Sequence, residues 1–458
     1  MNTEANTDAT RVTSMRQRLG AMLERGVDAI GPWGSRRILR ELQHVLDPSV
    51  SEVEGGRRAA AFAQWYAGAT PEQRSECWVL MSEHFAPDVA AIESAHAAYE
   101  AVSGTDDEAR AEVQLRRAFT APRTRLLQRF SAYSGGVHFL VDLRAELLPH
   151  LKKDKRLIAL DGELQELFST WFDVGFLELR RISWDSPAAL IEKLIRYEAV
   201  HDIRSWQDAK NRLDEDRRCY SFFHPRMPGE PLIFVEVALL REMAGGIVPL
   251  LDEEAAPADL DKASCAIFYS ISNTQSGLKG VSFGDELIKR VVEVLQGEFP
   301  RLKLFATLSP IPGFRAWLAK NLDARLQAMP GRARAELARE LDVADLTPAD
   351  LSAALEGVAQ WPEKSARARW LLAAGAHYLA RASTDGGRPL DAVARFHLGN
   401  GARIERINWL GDPSPKGLRQ SHGLMVNYLY DLKRLDRHRR ELAQGTVPVA
   451  GAVQSLLD

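Results

Sequence analysis

ASCAIFYSISNTQSGLKGVSFGDELIKRVVEVLQGEF, residues 263–299, changes its hydrophobic rhythm twice, and those changes decide the fold class. Cys265 to Ile271 is an apolar run with aromatic and β-branched members, the pattern of a buried strand. A polar loop with glycines follows. From Gly284 onward Leu287, Ile288, Val291, Val292 and Leu295 recur at helical spacing. LKLFATLS, residues 302–309, then reads as another strand. Strand, loop, amphipathic helix and strand make an α+β domain.

Working outward, CYSFFHPRMPGEPLIFVEVALL, residues 219–240, reads as a turn at Pro228-Gly229 followed by a strand. Residues 313 to 382 turn helical, divided at Pro330 and Pro362. Beyond them DAVARFHL and ARIERINWL flank Gly399-Asn400-Gly401, which predicts a β-hairpin. Toward the N-terminus the texture is helical. In ATPEQRSECWVLMSEHF Thr70 can cap, Pro71 suits the first helical position and Gln73 completes a capping box. Trp78, Met81 and Phe85 follow at helical spacing. RTRLLQRFSAY, GVHFLVDLRAELL and DGELQELFSTWFDVGFLELRRI repeat that rhythm, with breaks at Ala121-Pro122 and Gly135-Gly136. Residues 1–195 are therefore expected to form a helical bundle, and residues 196–458 an α+β domain with a helical insertion at about 313–382. Trp65, Phe85, Phe130 and Phe139 are expected in the bundle core rather than at an interface.

The chain of 458 residues is long enough for two or three domains, and its 45% hydrophobic and 26% charged content is ordinary for a soluble protein. A net charge of −3 supplies no field for nucleic acid or an anionic membrane, so an anionic ligand would need a local site. Cys77, Cys219 and Cys265 lie far apart and match neither a disulfide framework nor a zinc site. No run approaches a membrane span, and the acidic start MNTEANTDATRVTSMRQRLG resembles neither a secretory signal nor a transit peptide. A cytoplasmic protein is the expectation.

Chemistry concentrates in three places. QSGLKGVSFG, residues 275–284, can bring backbone N–H groups and a helix N-terminus to an anion. It approaches the [Gln/Arg]-x-x-Gly-x-[Gly/Ala] coenzyme A loop of the GCN5-related acetyltransferases. Gln275 and Gly280 match its ends, Leu278 replaces the middle glycine, and Lys279 adds charge. GVSFG also fits the Gly-x-Ser-x-Gly nucleophile elbow, with Ser282 as nucleophile and Asp391, His397 or His422 downstream, although the polar loop interrupts the strand an elbow requires. FATLSPIPGF, residues 305–314, sets Ser309 at a strand end before two prolines. RFHLGNG places His397 just before the expected hairpin, where an imidazole could trade protons, with His224 and His422 as competitors. Nothing in the spacing makes Ser309 and His397 neighbours.

HPRMPGEPLIFVEVAL, FYSISNTQSGLKGV, LIKRVVEVLQGEFPRLKLFATLSPIPGF, FHLGNGARIERINW and SHGLMVNYLY closely resemble the malonyl-CoA decarboxylase family, in order, through residues ~200 to 430. The resemblance implies a helical N-terminal domain and a GCN5-related acetyltransferase-like (GNAT) catalytic domain. It implies conversion of malonyl-CoA to acetyl-CoA and CO2 without metal or organic cofactor. It assigns catalysis to Ser309 and His397, the coenzyme A loop to Lys279, Gly280, Val281, Ser282, Phe283, Gly284 and Asp285, and further pocket positions to Ser270 and Tyr430. It also implies a homo-oligomer, a tetramer. The rival classes are a serine hydrolase or thioesterase acting on acyl-CoA, a GNAT acyltransferase, and a non-catalytic binder.

Overall fold

The computed structural model describes residues 34–281 and 283–458. It divides into two compact units. The helical unit runs to Phe176 and also takes in Pro225–Pro228 and Gln275–Val281; the second unit contains Leu177–His224, Gly229–Thr274 and Ser282–Asp458.

In the helical unit the helices Glu52–Ala67, Pro71–Glu83, Pro122–Phe130, Gly136–Leu147 and Ile158–Trp171 bury one apolar stripe each. The helix at Pro71 begins as the sequence predicts. Thr70 accepts from the Gln73 N–H, Gln73 accepts from the Thr70 N–H, and Pro71 occupies the first turn. Phe85 and Phe130 are buried, and Phe130 stacks on Phe139 with centroids 5.1 Å apart. Phe85 and Phe130 lie in the expected core, whereas Trp65 and Phe139 are half-buried.

The second unit is built on an eight-stranded mixed sheet, ordered β1-β2-β3-β4-β5-β8-β6 with β7 also on β8. The strands are β1 (Glu178–Ile182), β2 (Arg217–Phe223), β3 (Pro231–Leu240), β4 (Cys265–Asn273), β5 (Leu304–Thr307), β6 (Ser309–Pro310), β7 (Arg403–Asn408) and β8 (Met425–Leu429). β1 to β4 run antiparallel in order. The helix Gly284–Glu298 then returns the chain so that β5 lies parallel to β4. This antiparallel meander followed by a parallel crossover is the GNAT-like architecture. Phe222, Phe234, Phe268 and Phe305 are almost fully buried along the sheet.

Three sequence expectations change. LELRRI ends as strand β1 on the sheet edge, not as helix: its burial pattern alternates weakly and its backbone pairs with β2, so sheet hydrogen bonds outweigh the helical reading. CYSFF, read as the approach to a turn, is strand β2, and Pro228-Gly229 lies in the connection of a β2–β3 hairpin. The expected hairpin at Gly399-Asn400-Gly401 is absent. Ala392–Gly399 is a helix, capped at its start by Asp391, which accepts from the Val393 and Ala394 N–H groups. At its end Ala402 N–H bonds to the His397 carbonyl and Gly401 N–H to that of Leu398. That pair is the Schellman closure of a helix. Gly401 has φ +87°, and a side chain there would come within 2.6 Å of the Leu435 carbonyl oxygen. The Asn-Gly signal that turns a hairpin also satisfies a helix C-terminus.

The folded sheet unit holds three imidazoles neutral. Burial lowers His397 to about 3 and His201 and His422 to about 4. A depressed folded value means that the unfolded chain binds more protons below its own value of 6.5. Stability is therefore full above that pH and is lost as pH falls toward 4. The expected loss between pH 7 and pH 5 is roughly 1 to 2 kcal/mol per histidine. Denaturant midpoints at those two pH values check it; equal midpoints would contradict it.

Candidate active site

β4 and β5 pair only as far as Phe268 opposite Thr307. Beyond that point β4 continues to Asn273, with a register shift at Tyr269 against β3, whereas the other strand leads into β6, which pairs with β8. The wedge between them is a cavity of about 260 Å³. Phe268 to Ile271 and Asn273 line one wall, Leu308 to Pro310 the other. The helix Ala392–Gly399 contributes Ala392, Val393, Phe396 and His397, and Val200 closes an edge.

Ser309 and His397 meet in this wedge. Ser309 Oγ lies 3.3 Å from His397 Nε2, and both residues are buried. His397 Nδ1 is 2.8 Å from the Tyr430 hydroxyl, and the imidazole stacks on Tyr428 with centroids 4.7 Å apart. Ser309 donates to Thr307 Oγ1 at 2.8 Å. Thr307 Oγ1 also accepts the Tyr428 N–H, and Asn427 donates to the Thr307 carbonyl. One arrangement of protons satisfies this chain. Tyr430 donates to Nδ1, Nε2–H donates to Ser309 Oγ, and Ser309 donates to Thr307. In that state Ser309 keeps its proton away from the imidazole, so the pair is not set as nucleophile and base. The ring's other nitrogen meets a phenol rather than the carboxylate of a hydrolase triad. Asp391 caps the helix and bonds Tyr378 instead. Burial raises the Asp391 carboxyl.

Ser270 lines the opposite wall of the cavity and is buried. His224 and His422 are buried too, but neither is among the described lining residues. The coenzyme A loop positions divide. Lys279, Gly280 and Val281 belong to the helical unit. There Arg144, almost fully buried, donates through Nη1 to the Gly277 and Lys279 carbonyls at 2.8 Å each. Its remaining nitrogens bond Asp161 and Gln165. Gly280 has φ +89° and faces the Gln165 side chain. Ser282 lies outside the described residues. Phe283 is the buried cap of the helix Gly284–Glu298, whose first turn includes Asp285. A Cβ at Gly284 would lie 3.0 Å from the ring of Phe396, a cavity wall residue.

Sequence reasoning passed over three residues. Arg144 sits on the same buried helix face as Leu140, Val141 and Leu147, and a charge on an apolar stripe was the available signal. Thr307 is an ordinary strand residue until the fold sets it beside Ser309. Glu198 ends the helix Ala188–Tyr197, where nothing in the sequence distinguishes it from an exposed acid.

The family model "Malonyl-CoA decarboxylase C-terminal domain" matches residues 175–458, and its N-terminal counterpart matches residues 85–172. The chain belongs to the malonyl-CoA decarboxylase family. Malonyl-CoA decarboxylase, mitochondrial, of Anser anser anser is 34% identical over 90% of this chain and 89% of its own length. The Rattus norvegicus protein of the same name is 37% identical over 82% of this chain and 80% of its own. The crystal structure of malonyl-CoA decarboxylase from Rhodopseudomonas palustris is 41% identical, with a TM-score of 0.80, covering 93% of this chain and all of that one. That from Agrobacterium vitis is also 41% identical, with a TM-score of 0.82, over 92% of this chain and 99% of its own. This malonyl-CoA decarboxylase family member is an enzyme, a carboxy-lyase. No described helix is long and apolar enough to cross a membrane.

Proposed function

We propose that the protein decarboxylates malonyl-CoA to acetyl-CoA and CO2 in the wedge between β4 and β6, through a thioester enolate, with no metal or organic cofactor. The observation that carries the reading is the contact of Ser309 Oγ with His397 Nε2, 3.3 Å apart and facing one cavity. The thioester carbonyl is itself the electron sink. As the C–C bond to the carboxylate breaks, its electron pair moves into that carbonyl, CO2 leaves, and the α-carbon then takes a proton. The protein must hold the breaking bond perpendicular to the thioester plane, stabilise the developing oxyanion and supply the proton.

Ser309 hydrogen-bonds the malonyl group and fixes its conformer. His397 presents an N–H to the reacting group. Burial keeps the free imidazole neutral, so it carries no acidic proton until the substrate anion offsets that burial. The reaction consumes one proton, and His397 is the group placed to take it up with the substrate and pass it to carbon. The Tyr430 hydroxyl suits both states, since it can donate to neutral Nδ1 or accept from the protonated ring. Lys279 to Asp285 are the proposed site of the coenzyme A diphosphate, and Ser270 lines the acyl cavity. Cytoplasmic residence is proposed with this function, since the three buried free thiols Cys77, Cys219 and Cys265 suit a reducing compartment. A homotetramer is proposed on the family resemblance.

Incubation with malonyl-CoA and mass analysis of the products tests the reading. Acetyl-CoA with CO2 is expected. Malonate with free coenzyme A would replace it by thioester hydrolysis, and unchanged malonyl-CoA by transfer or binding.

A further inference from the structure

The acyl cavity has a polar wall whose protons are already committed. Ser270 Oγ donates to Glu198, 2.7 Å from each carboxylate oxygen. Ser272 Oγ reaches the same group at 3.2 Å, and the N–H groups of Val200 and His201 bind Glu198 Oε1 at 2.8 Å each. Glu198 is buried, with 7% of its surface exposed. The two Glu198 oxygens thus accept from four donors. A serine has one proton. With that proton held by Glu198, Ser270 offers the cavity only lone pairs. The cross-strand partner of Ser270 is Glu236, also fully buried, which bonds Arg212 at 3.2 Å. Arg212 is shared with Asp208 at 2.7 Å, so one guanidinium serves two carboxyl groups, and burial together with the Glu198 charge raises the Glu236 carboxyl to about 8. The β4 wall is therefore acceptor-rich and carries the Glu198 carboxyl, while on the facing wall the His397 N–H and the Ser309 hydroxyl are held only by neutral hydroxyl oxygens, weaker partners that a substrate carboxylate can displace.

We infer that Glu198 is a positioning residue that decides which way round the malonyl group lies, by denying its carboxylate a partner on the Ser270 wall and driving it to the Ser309–His397 wall. The inference rests on the proposal that the latter pair handles the malonyl group. A carboxylate placed at Ser270 would stand some 5 Å from Glu198, and repulsion at that range in a protein interior disfavours it by roughly two orders of magnitude. Ser270 and Glu198 thus act as a polarity filter within one small cavity, and the reversed, unreactive pose is excluded before chemistry begins.

Glu198→Gln separates this role from a scaffolding one. The amide can still accept from the Val200 or His201 N–H, but it removes the charge and can donate to Ser270, freeing the serine proton to face the cavity. The reversed pose then competes with the productive one. Non-productive binding lowers kcat and KM by the same factor, here about tenfold, and leaves kcat/KM unchanged. The inhibition constant of acetyl-CoA, which has no carboxylate to misplace, should stay as in the parent. Adding Ser270→Ala to Glu198→Gln removes the competing donor and should recover the turnover lost in the single variant. Glu198→Asp, which keeps the charge on a shorter arm, should show a smaller parallel fall. A rise in KM, or a fall in kcat with KM unchanged, in either single variant would overturn the role. Failure of the underlying reading has a different signature, namely normal turnover in His397→Ala.

Discussion

His397→Ala is expected to lower kcat by about 10² to 10⁴, the usual cost of removing a positioned proton donor. Affinity for coenzyme A should be largely kept, because the loop positions assigned to the diphosphate are on other segments of the chain. The size of the effect follows from geometry. The imidazole is anchored three ways: by Tyr430 at Nδ1, by stacking on Tyr428 and by the helix Ala392–Gly399 that carries it. Alanine would leave a polar void between Ser309 and Tyr430, and a water there would be neither oriented nor basic enough to shuttle the proton. Single-turnover kinetics with malonyl-CoA, alongside a coenzyme A titration, check both halves. Near-normal turnover would remove His397 from the mechanism; lost coenzyme A binding would show that the variant disturbs more than the proton transfer.

Gly280→Val is expected to act on binding instead. At φ +89° a β-branched residue is strained by about 1 to 3 kcal/mol. Its Cβ would also press on the Gln165 side chain at 3.2 to 3.3 Å. Gln165 is held by Arg144, which itself grips the loop through two carbonyls. The loop would have to leave its conformation, and with it the backbone course on which diphosphate binding is proposed. KM should rise by roughly tenfold or more, since each 1.4 kcal/mol is a factor of ten. Turnover at saturation should change far less. Calorimetric titration with coenzyme A measures the first and saturating kinetics the second. Unchanged affinity would take the diphosphate away from this loop.

Much of the architecture was legible in the residues. The period changes between 263 and 309 announced a strand, a helix and a strand, and all three are present. The capping box at Thr70 announced a helix start that the backbone obeys. These signals are local: caps and hydrophobic periods express contacts within one element or one face. The Gly399-Asn400-Gly401 reading failed because a left-handed glycine serves a hairpin and a helix end equally, and only the packing of Gly401 against Leu435 selects between them. LELRRI failed similarly, since an edge strand takes its identity from the neighbour it pairs with.

For the site the division is sharper. The sequence alone determined which side chains were chemically able to serve, a hydroxyl after a strand and an imidazole near a glycine turn, and its family motifs named Ser309 and His397. Their 3.3 Å approach, the Tyr430 hydroxyl behind the ring and the grip of Glu198 on Ser270 arose only in the tertiary structure. They join residues 88, 33 and 72 positions apart. No local rule spans such separations, because the cavity exists only where two parallel strands cease to pair, and that parting is a property of the whole sheet.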